Sequence, residues 1–237
     1  MNDKENSMKN PLLQKFDTPF NVPPFEEIQK TDFIPAIKEA IRIHNEEIEV
    51  IMNEKDDPDF DNTIVALERA GSLLDQVTSV FYNLNSSLTG PEMQEIATKL
   101  SPLLSEHSDA IRLNDKLFER VKIIYSQKDK LELSKEDKKL IEETYKYFVR
   151  GGSNLNNEDK ETLKDINEQL SILSLQFGQN VLKETNNYKL VITDEEDLSG
   201  LPDNVISSAS EMAGEKDEAG KWVFTVQKPS MLPFLTY

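Results

Sequence analysis

The spacing of apolar residues predicts a chain built mainly of long amphipathic helices. From Phe33, apolar positions return at Ile37, Ile41, His44, Ile48 and Ile51, in steps of three and four that share one helical face. This helix opens near Thr31 or Asp32, tolerates Pro35 in its first turn, and stops at Asp56-Asp57-Pro58. A second stripe, Ile64, Leu67, Gly71, Leu74, Val77, Phe81, Leu84 and Leu88, follows an N-cap at Asp61 or Asn62. Gly71 on its buried face costs about 1 kcal/mol of helix propensity. Close approach of a neighbouring helix is the expected compensation.

Gly90-Pro91 opens a third helix with Met93, Ile96, Leu100, Leu103, His107 and Ile111 on one face. Pro102 should kink it. Leu113-Asn114-Asp115 interrupts it, and Asn114 caps a continuation through Phe118, Val121 and Ile124. Ser134 to Asp137 resembles a capping box ahead of Leu140, Ile141, Tyr145, Tyr147 and Phe148, and Gly151-Gly152 makes a left-handed stop. Asn156 or Asn157 caps a fifth helix, whose stripe is Leu163, Ile166, Leu170, Leu173, Phe177 and Val181.

The texture changes after Asn187. Tyr188–Ile192 and Trp222–Val226 read as strands, with a short helix from Val205 to Ala213 between them. Two strands alone are marginal in water and need a surface to lie on. Upstream, residues 1–30 read as an extended arm. Pro11, Pro19, Pro23 and Pro24 block helix there, while Leu12, Leu13, Phe16, Phe20 and Phe25 supply apolar anchors. The expected architecture is a mainly α, antiparallel bundle of about five long helices with a small C-terminal β-hairpin element. Its divisions are an arm at 1–30, a helical domain at 31–187, and a hairpin region at 188–237 that begins a further, missing part. The units vary in length and share no motif, which argues against a helical repeat array.

Composition narrows the partners. The formal charge is −17, from 27 basic and 44 acidic residues. Such a surface repels phosphate backbones and anionic lipid, so nucleic acid and membrane are poor partners. Zero cysteine removes disulfide and thiol chemistry. The opening MNDKENSMKNPLL has no apolar core of a signal peptide, and no run approaches a spanning helix, which makes the cytoplasm the default location.

Chemistry is hard to place. The chain has two histidines, His44 and His107, and no H-E-x-x-H stretch. A catalytic zinc usually takes three protein ligands, so the donor set is incomplete. Each histidine is expected to be a buried or half-buried side chain bonded to a carbonyl or hydroxyl. G-x-S-x-G, the Walker loop and G-x-G-x-x-G are all absent from the sequence. Asp56 to Asp61 lacks the glycine and terminal glutamate of a calcium loop and reads as helix stop, turn and cap. Asp194 to Asp197 reads as a turn cap, and Trp222 as core rather than a stacking platform. No catalytic, cofactor-binding or metal-ligating residue is assigned.

Several stretches, read in order, carry a resemblance. They are Asn10-Pro11-Leu12-Leu13; Pro23-Pro24-Phe25 with Ile28; Phe33-Ile34-Pro35-Ala36; and Pro58 to Ile64 leading to Ala66-Leu67-Glu68. Val77 to Leu84, Leu113-Asn114 with Leu117 to Val121, Phe148 to Gly152, and Leu198 to Pro202 follow. Together they resemble the N-terminal part of the peptidyl-dipeptidase Dcp and oligopeptidase A family, thimet oligopeptidase/neurolysin-like zinc metallopeptidases. Val77-Thr78-Ser79-Val80-Phe81 favours the peptidyl-dipeptidase branch.

The resemblance implies a helical lobe facing a catalytic one across a channel for short peptides. It also implies zinc held by H-E-x-x-H and a downstream Glu beyond this stretch. No family ligand maps onto any residue here, so the chain is expected to be an inactive N-terminal region forming one channel wall. Its partners would be the catalytic lobe and, in the full-length enzyme, short peptides. The competing expectation is a standalone helical module that binds peptides or proteins. A truncated surface should expose Leu232, Phe234, Leu235 and Tyr237 and promote self-association.

Overall fold

The computed structural model describes residues 10–237, so the first nine residues of the arm lie outside the described part. The chain is mainly helical, with one small antiparallel sheet near its C-terminus. It divides into two units, residues 1–175 and 176–237.

In the first unit, helix α1 (Phe33–Met52) follows a 3-10 turn at Lys30–Asp32. It ends at Asn53, short of the expected stop at Asp56. The next helix is not continuous. A π-helical turn, Phe60–Val65, runs into α2 (Ala66–Arg69); the chain then breaks and restarts as α3 (Ser72–Ser87). Its cap is Asp59 rather than Asp61 or Asn62: Asp59 accepts the Asn62 N–H at 2.6 Å, and Asn62 returns a bond to the Asp59 N–H at 3.0 Å. Helix α4 (Pro91–Arg112) begins on its proline as expected and runs through Pro102. Asn114 caps α5 (Asp115–Gln127) by accepting the Leu117 N–H, and Ser134 caps α6 (Lys135–Arg150) by accepting the Asp137 N–H. Asn156 accepts the Asp159 N–H at the start of α7 (Asn157–Asn187), which belongs to this unit as far as Leu175 and to the second unit from Gln176.

Two apolar clusters fill this unit. The first joins Leu12 of the arm, the first half of α1 (Phe33, Ile37, Ala40), α3 (Val77, Phe81) and α4 (Met93, Leu100). The second joins the end of α1 (Ile48, Ile51), Ile64, α5 (Leu117, Val121) and α6 (Ile141, Phe148). Helix α1 contributes to both, because its stripe is long enough to serve one cluster with each half.

Polar bonds tie the connections to these clusters. Buried Arg120 donates to Asn62 Oδ1 at 2.8 Å, Thr63 Oγ1 at 3.2 Å and the Glu54 carbonyl at 3.2 Å. Ser153 Oγ lies 2.6 Å from the Arg112 carbonyl and 2.9 Å from that of Phe148. Buried Lys160 donates to the Leu113 carbonyl at 3.1 Å and pairs with Asp115. Gly152 has φ of 97° and lies against Leu113, Leu155 and Leu163, so the left-handed stop is also a close approach.

The arm docks only in part. Leu12 and Phe16 are buried, and Gln76 donates to the Leu12 carbonyl at 3.3 Å. Phe20 is 97% exposed, so it is not the expected anchor. It sits in a 3-10 turn, Pro19–Asn21, that turns its side chain outward.

A larger departure concerns α7. Of its expected core stripe, only Leu163 is partly covered; Ile166, Leu170, Leu173, Phe177 and Val181 are all exposed. The helix packs instead through neighbouring positions such as Lys160, Asn167 and Leu175.

In the second unit, β1 (Leu190–Ile192) pairs antiparallel with β2 (Trp222–Phe224), with Val191 opposite Val223. Between them lie a 3-10 turn at Glu195–Leu198 and α8 (Asp203–Glu215). Asp194 caps the turn by accepting the Glu196 N–H at 3.0 Å. The surface that two strands require comes from α8 and from α9 (Lys228–Thr236). Leu198, Ala209 and Phe224 form the core, with Trp222, Ile206 and Phe234 packed on it. The final residues are therefore helical. Leu232, Leu235 and Tyr237 are exposed as expected, but Phe234 turns inward against Phe224, ring centroids 4.5 Å apart. Lys189 and Lys221 flank Glu218 and hold its carboxyl down to about 2.

The Arg120 bonds yield a test. Arg120→Ala removes three hydrogen bonds that join α5 to the π-helical turn and the loop before it, and unfolding in urea should show a loss of about 2–4 kcal/mol. Arg120→Lys, which cannot reproduce the fork, should recover less than half of it.

Candidate functional site

The two histidines, 63 positions apart, meet. His44 projects from the middle of α1 and His107 from α4, each between the residues that feed the two apolar clusters. His107 Nε2 and His44 Nδ1 are 3.0 Å apart, and the rings are edge to face at 4.9 Å. The expected carbonyl or hydroxyl partner is replaced by the other imidazole. One ring donates and the other accepts, which requires the accepting ring to be neutral.

The position of His44 explains the break at Gly71. A Cβ on Gly71 would lie 2.6 Å from the His44 ring, and the residue has φ of 80°. The same turn of α1 also presents Glu47, whose carboxylate accepts the Gly71 N–H at 2.7 Å. The expected close approach is real, but it occurs at a helix break rather than within a helix. A left-handed glycine lets the chain restart as α3 while its N–H is satisfied by a side chain.

Burial lowers the pKa of His107 to about 4, with the neighbouring imidazole acting in the same direction. Burial also lowers His44, opposed by the charges of Glu47 and Asp75. His44 lines a cavity of about 380 Å³ whose walls include Ile48, Leu140, Tyr147 and the carboxylates of Asp75 and Glu143. Hydrogen bonds from Lys139 and Lys146 hold Glu143 down to about 2, so it is ionised at neutral pH and is no proton donor.

An acidic groove of about 530 Å³ lies between α4 and α7, lined by Glu106, Asp109, Glu161, Asp165 and Glu168. Its one buried acid, Asp109, is already engaged by Asn167 Nδ2 at 2.8 Å and Arg112 at 3.3 Å.

The resemblance puts its zinc ligands beyond this stretch, and the donors present here do not gather into a second such set. Among the described residues no group of three or more His, Cys, Asp or Glu side chains could hold a metal ion. The facing nitrogens of the histidine pair are spent on each other. Also among the described residues, no helix is long and apolar enough to cross a membrane.

The sequence missed the imidazole pairing because 63 residues separate the two rings. The signal that was available is the shared apolar face on which each histidine lies, together with a glycine on the facing stripe.

Two tests follow from this geometry. Gly71→Ala forces both a left-handed alanine and a clash with the ring, so it should cost about 2–4 kcal/mol in urea unfolding. For His107 the folded pKa lies below the unfolded one, so the unfolded state binds the extra proton. Its contribution is fully present above about 6.5 and is lost as pH falls toward about 4. Urea midpoints measured across that window should fall more steeply for the natural chain than for the double variant His44→Leu/His107→Leu.

No protein-family model matches the sequence. Individual relatives do. Dipeptidyl carboxypeptidase of Salmonella typhimurium is 35% identical over 226 residues, covering 94% of this chain and 33% of that protein. The Escherichia coli dipeptidyl carboxypeptidase is 34% identical over the same shares. Escherichia coli oligopeptidase A is 29% identical over 230 residues, 97% of this chain and 33% of that protein. The chain thus spans about a third of the length of the curated relatives it matches. Over nearly its whole length it is similar to the N-terminal third of dipeptidyl carboxypeptidases and oligopeptidases A, which are thimet-like peptidases.

Proposed function

We propose that this chain forms the non-catalytic N-terminal helical region of a zinc peptidase of the peptidyl-dipeptidase or oligopeptidase type. It builds one wall of the channel that admits short peptides, and the catalytic lobe is its partner. The carrying observation is the match of 94% of this chain to a third of a dipeptidyl carboxypeptidase. The metal-binding stretch belongs to the part of such an enzyme that has no counterpart here, consistent with the missing H-E-x-x-H. The residues after 187 lead toward that part. A cytoplasmic setting fits the acidic, cysteine-free composition.

The motif stretches support a scaffolding role. Pro58 to Ile64 and Leu117 to Val121 meet through Arg120. Leu113-Asn114 meets Phe148 to Gly152 through the contacts of Gly152 and Ser153. These stretches hold helices together rather than presenting reactive groups.

The test has two arms. The purified chain, with zinc added, should hydrolyse no short peptide; metal-dependent cleavage by this chain alone overturns the reading. Exchanging the matched 226-residue region of Escherichia coli dipeptidyl carboxypeptidase for this chain should give a chimera that still cleaves peptides. A well-folded but inactive chimera counts against it.

A further inference from the structure

The cavity beside His44 lies wholly within the first unit, and its floor and rim differ in chemistry. Its volume is about 380 Å³. That is more than twice the roughly 150 Å³ that encloses a benzene ring. Ile48 and Phe148 are buried and Leu67, Ile111 and Leu140 half-buried, which gives the cavity an apolar floor drawn from four helices. Glu68, Asp75 and Glu143 are exposed and stand at the rim. The break at Gly71 sets two of these apart, with Glu68 on α2 before it and Asp75 on α3 after it. Among the described residues no lysine or arginine lines the cavity.

The rim charges are largely uncompensated. Among the described residues neither Glu68 nor Asp75 makes an ion pair. The charge of Asp75 reaches the His44 ring across the cavity wall. Lys139 at 2.7 Å and Lys146 at 2.9 Å both bind Oε1 of Glu143, which leaves Oε2 for another donor. A carboxylate at the edge of an apolar pocket acts through less water than one on open surface, so it attracts a cation more strongly. An apolar hollow with a few convergent polar groups is also the usual form of a small-molecule site.

We infer that this cavity binds a small amphipathic organic cation, with an aromatic or branched aliphatic group on the floor and an ammonium at the rim. An anionic ligand would meet the three carboxylates as like charges, in a chain that already carries −17. A peptide N-terminus also carries an ammonium, but its carbonyls then need donors. Apart from the His44 ring, the side chains of the wall supply only the hydroxyls of Thr144 and Tyr147. A free amine has no such carbonyls to satisfy. The site does not depend on the peptidase reading, because every group that forms it belongs to this chain.

NMR titration of the natural chain tests it, read from the methyl signals of Ile48 and Leu140 and the ring signals of His44. The probes are 2-phenylethylammonium, the uncharged 2-phenylethanol and the anion phenylacetate. The ammonium should shift these signals saturably, with Kd on the order of 1 mM or below for so small a molecule. The alcohol should bind at least about tenfold more weakly, and phenylacetate should cause no saturable shift, because only the cation pairs with the rim. Equal affinity for ammonium and alcohol overturns the inference, as does the absence of saturation by the ammonium at about ten times that Kd. Phenylalanylglycine amide carries the same ring and an ammonium; if it binds more tightly than 2-phenylethylammonium, peptide N-termini are the ligand and the assignment to a free amine falls. Thr144→Trp, which fills the cavity from α6, should abolish the shifts, and retained binding places the ligand elsewhere and overturns the inference. Should that variant not fold, the exposed pair Glu68→Gln/Asp75→Asn decides: a loss of at least about fivefold in affinity for the ammonium supports the site, and unchanged affinity overturns it.

Discussion

The first unit is organised by what one turn of α1 does to Gly71. The His44 ring occupies the space that a Cβ on Gly71 would need, and Glu47, three residues on, takes its N–H. That contact breaks the second helical segment and sets where α3 begins. It also leaves His44 directed at His107 on α4. Helix α1 can then feed two apolar clusters, one from each half, with the neutral imidazole pair as the polar join between them. A neutral pair suits this place because burial disfavours the charged form of both rings, and for His44 it outweighs the pull of Glu47 and Asp75.

Around this join, the structure spends its buried polar groups on connections. Arg120 bonds the π-helical turn and the start of the loop that leads to it from α1, Lys160 holds the junction of α4 and α5, and Ser153 ties the turn between α6 and α7 to the end of α4. Each is a long-range bond between segments that no helix ladder links. This accounts for the clustering of recognisable motifs at helix ends. Cores accept many apolar combinations of similar volume, whereas a bond to a particular carbonyl requires a particular donor.

Much of the fold was legible from sequence. Asn114, Ser134 and Asn156 each cap the helix that the spacing assigned to them, and Pro91 opens α4. The two strands and the helix between them fall where β-branched runs and a 3.6-residue period place them, though the strands are shorter than expected. These signals act within a turn or two of chain, so neighbouring residues suffice to read them. The candidate site was less legible. Both histidines stood on apolar stripes, but their mutual bond depends on how α1 and α4 pack, and periodicity carries no information on that.

What the sequence determined by itself is local: where helices and strands lie, how most are capped, that the chain is strongly acidic, and that it carries two histidines, no cysteine and no H-E-x-x-H stretch. Tertiary structure decided which faces are inside. The stripe of α7 has the periodicity of a core face, yet it points to solvent while Lys160 on the same helix is buried. Periodicity reports that a face is apolar. It cannot report what covers that face, because burial is set by the distance to segments far away in the chain or outside it.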